Sequence, residues 1–109
     1  MSRAKGNIAE DKATIYLEEN GYFVLERNFY SRFGEIDIIA TKENVLHFIE
    51  VKSGESFELA IQNITPRKLS RLIKTANIYL KKSSLDIDFM LDALMVTPQN
   101  IELVENISL

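Results

Sequence analysis

Cysteine is absent from this 109-residue chain, which excludes structural disulfides and thiolate zinc sites. Histidine occurs once, at His47, so histidine-rich metal centres are excluded too and carboxylates remain as the available metal ligands. No apolar run approaches the roughly 20 residues of a membrane span, and the N-terminus has no signal-peptide apolar core. The expected setting is therefore cytoplasmic, with no membrane partner. No repeat, low-complexity stretch or linker divides the chain, and its length fits one domain, residues 1–109. With 46% hydrophobic residues, that domain has enough apolar material for a core.

Basic residues are missing from one whole segment. Residues 83–109 carry Asp86, Asp88, Asp92, Glu102 and Glu105 and neither Lys nor Arg. The formal net charge of −3 is thus unevenly spread: residues 1–82 hold 13 basic and 11 acidic side chains, a balance of +2. Within them Arg67, Lys68, Arg71, Lys74, Lys81 and Lys82 form a stretch free of acids. A local basic face binds phosphates even on an acidic protein. The competing reading of the same charges is a solvated helix face.

Ala4 to Asn20 reads as a helix from the spacing of Ala9, Ala13, Tyr16 and Leu17, with Asn20-Gly21 as its stop. Glu10 borders the apolar stripe and either reaches inward over a sheet or points to water. Tyr22 to Tyr30 reads as a strand with Phe23, Leu25 and Phe29 as inward candidates, followed by a Ser31–Gly34 turn carrying Arg32. Phe57 to Asn63 suggests a short helical turn. Thr65-Pro66 starts the main helix, which runs to Lys82. Ile87 to Val96 and Ile101 to Val104 read as strands. Asp92 interrupts the first of these, either in a salt bridge or facing solvent. Three early strands suit an antiparallel meander, and the main helix suits a crossover to a parallel neighbour. The expected class is α/β, a mixed central sheet flanked by helices.

The chemistry concentrates between residues 35 and 52. Glu35-Ile36-Asp37-Ile38-Ile39-Ala40 and Leu46-His47-Phe48-Ile49-Glu50-Val51-Lys52 are rich in β-branched residues and read as strands around a polar turn. With Glu43 and Asn44 as a two-residue loop, Lys42 pairs with Val45, and counting outward brings Asp37 opposite Glu50. Directly opposed side chains share a face, with Cβ atoms roughly 4.5–5.5 Å apart. Lys52, two residues beyond Glu50, points the same way. Glu35 shares that face and reads either as a helper or as an exposed strand entrance. His47 has the opposite parity and reads as a packed or edge histidine.

Like charges facing each other destabilise a sheet, and close carboxylates raise one pKa unless something positive intervenes. A divalent cation removes the conflict, because hard Mg²⁺ favours carboxylates, water and phosphate oxygens. A lysine beside it orients water or steadies a charged transition state. This points to metal-dependent phosphodiester hydrolysis. The plain alternative is that Lys52 neutralises both acids in a surface cluster, but the acids interrupt two otherwise apolar strands, which favours function.

The same residues resemble the small bacterial YraN family, within the PD-(D/E)xK nuclease-like group. The resemblance spans nearly the whole chain. It is carried by Ala9-Glu10-Asp11, Tyr16-Leu17, Asn20-Gly21-Tyr22, Glu26-Arg27-Asn28-Phe29, Gly34 to Ala40 and Phe48 to Lys52, with Lys68, Ala76, Tyr79-Leu80 and Asp92 fitting further on. Ile36 stands where the superfamily name has proline, and Ser53-Gly54 replaces a frequent Thr-Arg, which removes one expected phosphate contact. The resemblance implies a restriction endonuclease-like αβββαβ core. It implies Asp37 and Glu50 as ligands of Mg²⁺ or Mn²⁺, Lys52 as the catalytic lysine, and Glu10 as an additional acid that binds a second metal or the attacking water. Arg32, Arg67, Lys68, Arg71 and Lys74 are then the expected contacts to DNA, branched or otherwise structured, and a homodimer is an expected assembly. Two rival readings remain: a catalytically inactive nucleic-acid-binding module of this fold, and a protein-interaction subunit using the acidic segment 83–109.

Overall fold

The structure, a computed structural model, describes residues 2–107, with side chains from residue 8 onward. The elements run α1 (Ser2–Glu19), β1 (Phe23–Ser31), β2 (Gly34–Lys42), β3 (Val45–Ser53), α2 (Phe57–Ile61), α3 (Pro66–Ser83), β4 (Phe89–Val96) and β5 (Ile101–Val104). Among the described residues five strands form one sheet in the order β1-β2-β3-β4-β5. All neighbours are antiparallel except β3 and β4, which α2 and α3 connect as a parallel pair. The protein is α/β with a mixed sheet, as the order of apolar patterns implied.

Local chemistry explains the element ends. Glu43 and Asn44 both have positive φ, 52° and 64°, and Lys42 pairs with Val45. Such two-residue loops match the twist of the strands they join. At the end of α1, Gly21 takes φ 87°, and the Tyr22 N–H reaches back to the Leu17 carbonyl at 2.9 Å, a left-handed glycine stop. Thr65 Oγ1 accepts from the Lys68 N–H at 3.2 Å, with Pro66 opening α3.

The sheet is covered on both faces. On one, Ala9, Ala13 and Leu17 of α1 pack over Ile38, Ala40, Ile49, Leu94 and Val96. On the other, Leu72, Ala76 and Tyr79 of α3 pack over Ile39, Leu46, Phe48 and Leu91. This double burial is why β2, β3 and β4 read as nearly continuous apolar runs.

The alternation of faces breaks at one step of β2. Ile36 and Ile38 have the same parity, yet Ile38 packs under α1 and Ile36 under α3. The partner strand breaks at the same step. Arg27, paired with Ile38, turns to Glu10 and Asp11 of α1, whereas Phe29, paired with Ile36, packs under α3. Between them Asn28 has φ 55°, in the left-handed region. The strands therefore turn over at Asn28 and Asp37.

Two inward assignments in β1 are corrected. Phe29 is buried, but Phe23 is 69% and Leu25 43% exposed. A register shift between Val24 and Glu26 reverses the parity, and Tyr22 and Val24 pack against the α1-side core instead. The strand before the C-terminal turn starts at Phe89, not Ile87. Asp92 does not face solvent: it is fully buried and paired with His47.

Ile38, fully buried at the centre of the α1 side, tests this packing. Ile38→Ala is expected to lower unfolding free energy by about 2–5 kcal/mol in urea denaturation, through lost burial and a residual cavity.

Candidate functional site

The regular β2–β3 ladder runs from Lys42–Val45 to Ile38–Ile49. One step further the Asp37 side chain takes over: its Oδ2 accepts the Val51 N–H at 2.8 Å. The Asp37 carboxyl group lies close enough to that of Glu50 for the two to interact, and Asp37 is only 9% exposed. Burial first, then the hydrogen bond and charge of Glu50, push Asp37 up to about 9, with Glu35 adding to the rise and the Val51 N–H opposing it. Two such groups share a proton unless a cation replaces it, so their titration belongs to the pair. Lys52 Nζ lies 3.9 Å from Glu50 Oε2 and supplies part of the compensation.

Facing these groups is α3. A cavity of about 180 Å³ is lined by Glu35, Glu50 and Lys52 on the sheet side and by Lys68, Arg71, Leu72 and Thr75 on the helix, with Phe33 and Gly34 closing it. Lys68, Arg71 and Thr75 lie one turn apart along one face of α3. The Thr75 and Ser31 hydroxyls, 2.8 Å apart, tie that face to the end of β1. Arg32 and Lys74 stack on the Phe33 ring, 4.9 and 5.2 Å from its centroid. Of the five basic residues expected at phosphates, Lys68 and Arg71 line the cavity and Arg32 and Lys74 flank its Phe33 wall. Arg67 is exposed in the first turn of α3 and is not among the lining residues.

Glu10 reaches inward. Its Oε1 accepts from Asn28 Nδ2 at 2.9 Å and lies 3.5 Å from Arg27 Nη2. The same Asn28 amide donates to Glu35 Oε2 at 2.9 Å. Asn28 thus brackets Glu10 of α1 and Glu35 of β2, extending the acidic row from Asp37 and Glu50. Among the described residues, Glu10 does not complete a group of three donors within 4.8 Å of one another with Asp37 and Glu50. It connects to them through Asn28 and Glu35. Sequence reasoning missed the role of Asn28. The available signal was an asparagine beside an aromatic residue in a strand, since asparagine tolerates positive φ better than most residues.

The donor set suits a hard cation. Two neighbouring carboxyl groups, Asp37 held well above its ordinary value by burial and by Glu50, offer only oxygen ligands, the preference of Mg²⁺ and Mn²⁺.

With this geometry in place, comparison with known proteins gives a consistent result. Residues 9–96 match the model of the uncharacterised protein family UPF0102. The chain belongs to that family. A UPF0102 protein of Sulfurimonas denitrificans is 64% identical over the full length of both chains. One from Wolinella succinogenes is 54% identical, again over both full lengths. One from Helicobacter hepaticus is 55% identical over 99% of this chain and 97% of its own. The matched segment of this UPF0102 chain contains Glu10, Asn28, Asp37, Glu50, Lys52 and the basic face of α3.

The acid pair sets a pH dependence. A carboxyl raised from 3.8 to about 9 binds its proton more tightly in the folded state. Its contribution to stability is complete below the unfolded value and is lost as pH rises toward the folded one. In chelator, the urea midpoint of the wild type is expected to fall across that interval, and Asp37→Asn, which keeps an acceptor for Val51, is expected to flatten the decline. For the bracket, Asn28→Ala is expected to lower stability by about 2 kcal/mol, through two lost hydrogen bonds to charged groups and the unfavourable φ. Asn28→Asp, which places a third acid between Glu10 and Glu35, is expected to cost more in the same denaturation assay.

Proposed function

We propose that this UPF0102 protein is a metal-dependent nuclease-like hydrolase of DNA phosphodiester bonds, acting on branched or otherwise structured DNA, with a restriction endonuclease-like αβββαβ core of the PD-(D/E)xK kind. The observation that carries the reading is the neighbouring carboxyl groups of buried Asp37 and half-buried Glu50, with Lys52 beside Glu50 and Lys68 and Arg71 across one small cavity. A structural ion pair needs one acid per base. Here the acids face each other, and the nearby cations line open space of a size suited to a phosphate group.

Asp37 and Glu50 would hold Mg²⁺ or Mn²⁺, which when bound supplies charge stabilisation at the phosphate and a more acidic water. The chain's own residues do the rest. The Val51 N–H fixes the Asp37 carboxylate. Lys52 donates to the attacking water or to a non-bridging oxygen as negative charge builds. Lys68 and Arg71 grip the backbone from α3, and Arg32 and Lys74 extend that grip around Phe33. Glu10, acting with Glu35 through Asn28, adds negative charge at the edge of the site. Water adds to phosphorus and the ester bond to the leaving sugar oxygen breaks, with that oxygen taking up a proton.

The test is cleavage of branched, flapped and linear DNA in Mg²⁺ or Mn²⁺. Lys52→Ala is expected to lower the rate about 10²–10³-fold, and Glu50→Gln to abolish cleavage without abolishing binding. Replacing Lys68 and Arg71 together is expected to weaken binding and flatten its salt dependence. Equal activity in wild type, Glu50→Gln and Lys52→Ala would overturn the catalytic assignment. Salt-sensitive binding with no cleavage by the wild type would identify a nucleic-acid-binding module instead.

A further inference from the structure

A second group of metal-ligating side chains lies at the opposite end of the β2–β3 hairpin, on the α1 side of the sheet. His47 of β3 pairs with Ala40 of β2, next to the tight turn. The histidine is 3% exposed. Its Nδ1 is hydrogen-bonded to Oδ2 of the fully buried Asp92. The other Asp92 oxygen accepts the Asn106 N–H at 2.9 Å. A carboxylate offers only lone pairs, so a neutral imidazole facing one donates from Nδ1 and keeps its free lone pair on Nε2.

Nε2 has no hydrogen-bond partner among the described residues, yet it is not among the buried polar atoms left without one. It therefore opens onto the adjoining cavity of about 320 Å³, which Tyr22, Lys42, Met90 and Glu105 line together with His47. Glu105 is exposed at the rim, one oxygen 3.5 Å from the Tyr22 hydroxyl. One donor atom each from His47, Asp92 and Glu105 lie within 4.8 Å of one another.

The geometry points to a second divalent-cation site, with His47 Nε2 and Glu105 as ligands and Asp92 as the group that fixes the imidazole. A carboxylate behind a histidine sets its tautomer and ring orientation and raises its basicity as a ligand, a common arrangement at metal centres. Imidazole nitrogen with carboxylate oxygen suits a first-row transition ion such as Zn²⁺ rather than Mg²⁺. The site differs from the Asp37–Glu50 pair in face, position and donor chemistry, so it does not rest on the proposed hydrolase activity. Glu105 and Asn106 follow β5, so an ion bound there would also fasten that segment to the sheet and link metal to stability.

Co²⁺ is a suitable probe, because its visible d–d absorption reports nitrogen and oxygen coordination directly. The titration uses the full chain carrying Asp37→Asn and Glu50→Gln, in excess Mg²⁺, so that the other pair contributes nothing. One saturable equivalent of Co²⁺ is expected, with a matching rise in Tm and competition by Zn²⁺. His47→Asn is expected to abolish the spectrum, and Asp92→Asn to weaken binding about 10–100-fold. Glu105 is exposed, so Glu105→Gln is expected to fold normally and still bind Co²⁺ at least tenfold more weakly, which keeps the test decisive if the buried variants unfold. A parent chain with no saturable Co²⁺ spectrum, or an unchanged spectrum in Glu105→Gln, would overturn the site and leave the His47–Asp92 pair as a structural tether only.

Discussion

An acid group held at 9% exposure against a second acid cannot remain ionised without compensation, and the arrangement around Asp37 follows from that conflict. Regular pairing of β2 with β3 stops at Ile38–Ile49, because at the next step the Asp37 carboxyl group, not a backbone carbonyl, receives the Val51 N–H. The same step is where β2 and its other neighbour β1 reverse the side of the sheet on which their side chains pack. Asn28, at φ 55°, absorbs the turn in β1, and its amide serves two further acids. Part of the compensation comes from Lys52 beside Glu50, and Lys68 and Arg71 of α3 line the cavity onto which Glu50 and Lys52 open. Burial and Glu50 hold the Asp37 carboxyl well above its ordinary value, so the site favours a proton or another cation there.

The two covered faces of the sheet divide the labour. The α3 face carries the cavity lined by Lys52, Lys68 and Arg71, and the α1 face carries the His47–Asp92 pair at the far end of the hairpin. Both acid-bearing clusters sit in strands that are otherwise apolar. Burial in such surroundings makes every unpaired charge costly, so each charged group there is matched: Asp37 by a proton or cation, Asp92 by the imidazole and the Asn106 N–H. The acidic C-terminal segment is not simply a solvated surface, since Asp92 lies inside the sheet and Glu105 closes the cavity beside it.

Much of this was legible in the residues themselves. The two-residue turn at Glu43-Asn44 and the strand parity were enough to bring Asp37 and Glu50 together. Thr65-Pro66 and Asn20-Gly21 marked helix ends where they occur. Local rules succeed there because turn and cap conformations depend on a few adjacent side chains. They failed in β1, where a register shift after Val24 and the left-handed Asn28 change which side chains face inward. Neither irregularity has a glycine or proline to announce it, and Asn28 is held by Glu10 of α1 and Glu35 of β2, contacts that no local pattern in β1 encodes.

By itself the sequence determined the elements, their order and the hairpin register, because periodicity and turn chemistry are local properties. It also determined that two carboxylates and a lysine share one end of that hairpin. Only the tertiary structure decided that Lys68 and Arg71 of α3 share a cavity with Glu50 and Lys52, that Asn28 couples Glu10 to Glu35, and that His47, Asp92 and Glu105 meet. Those meetings depend on how helices and distant strands dock, which is set by the summed packing of both sheet faces rather than by any short stretch of residues.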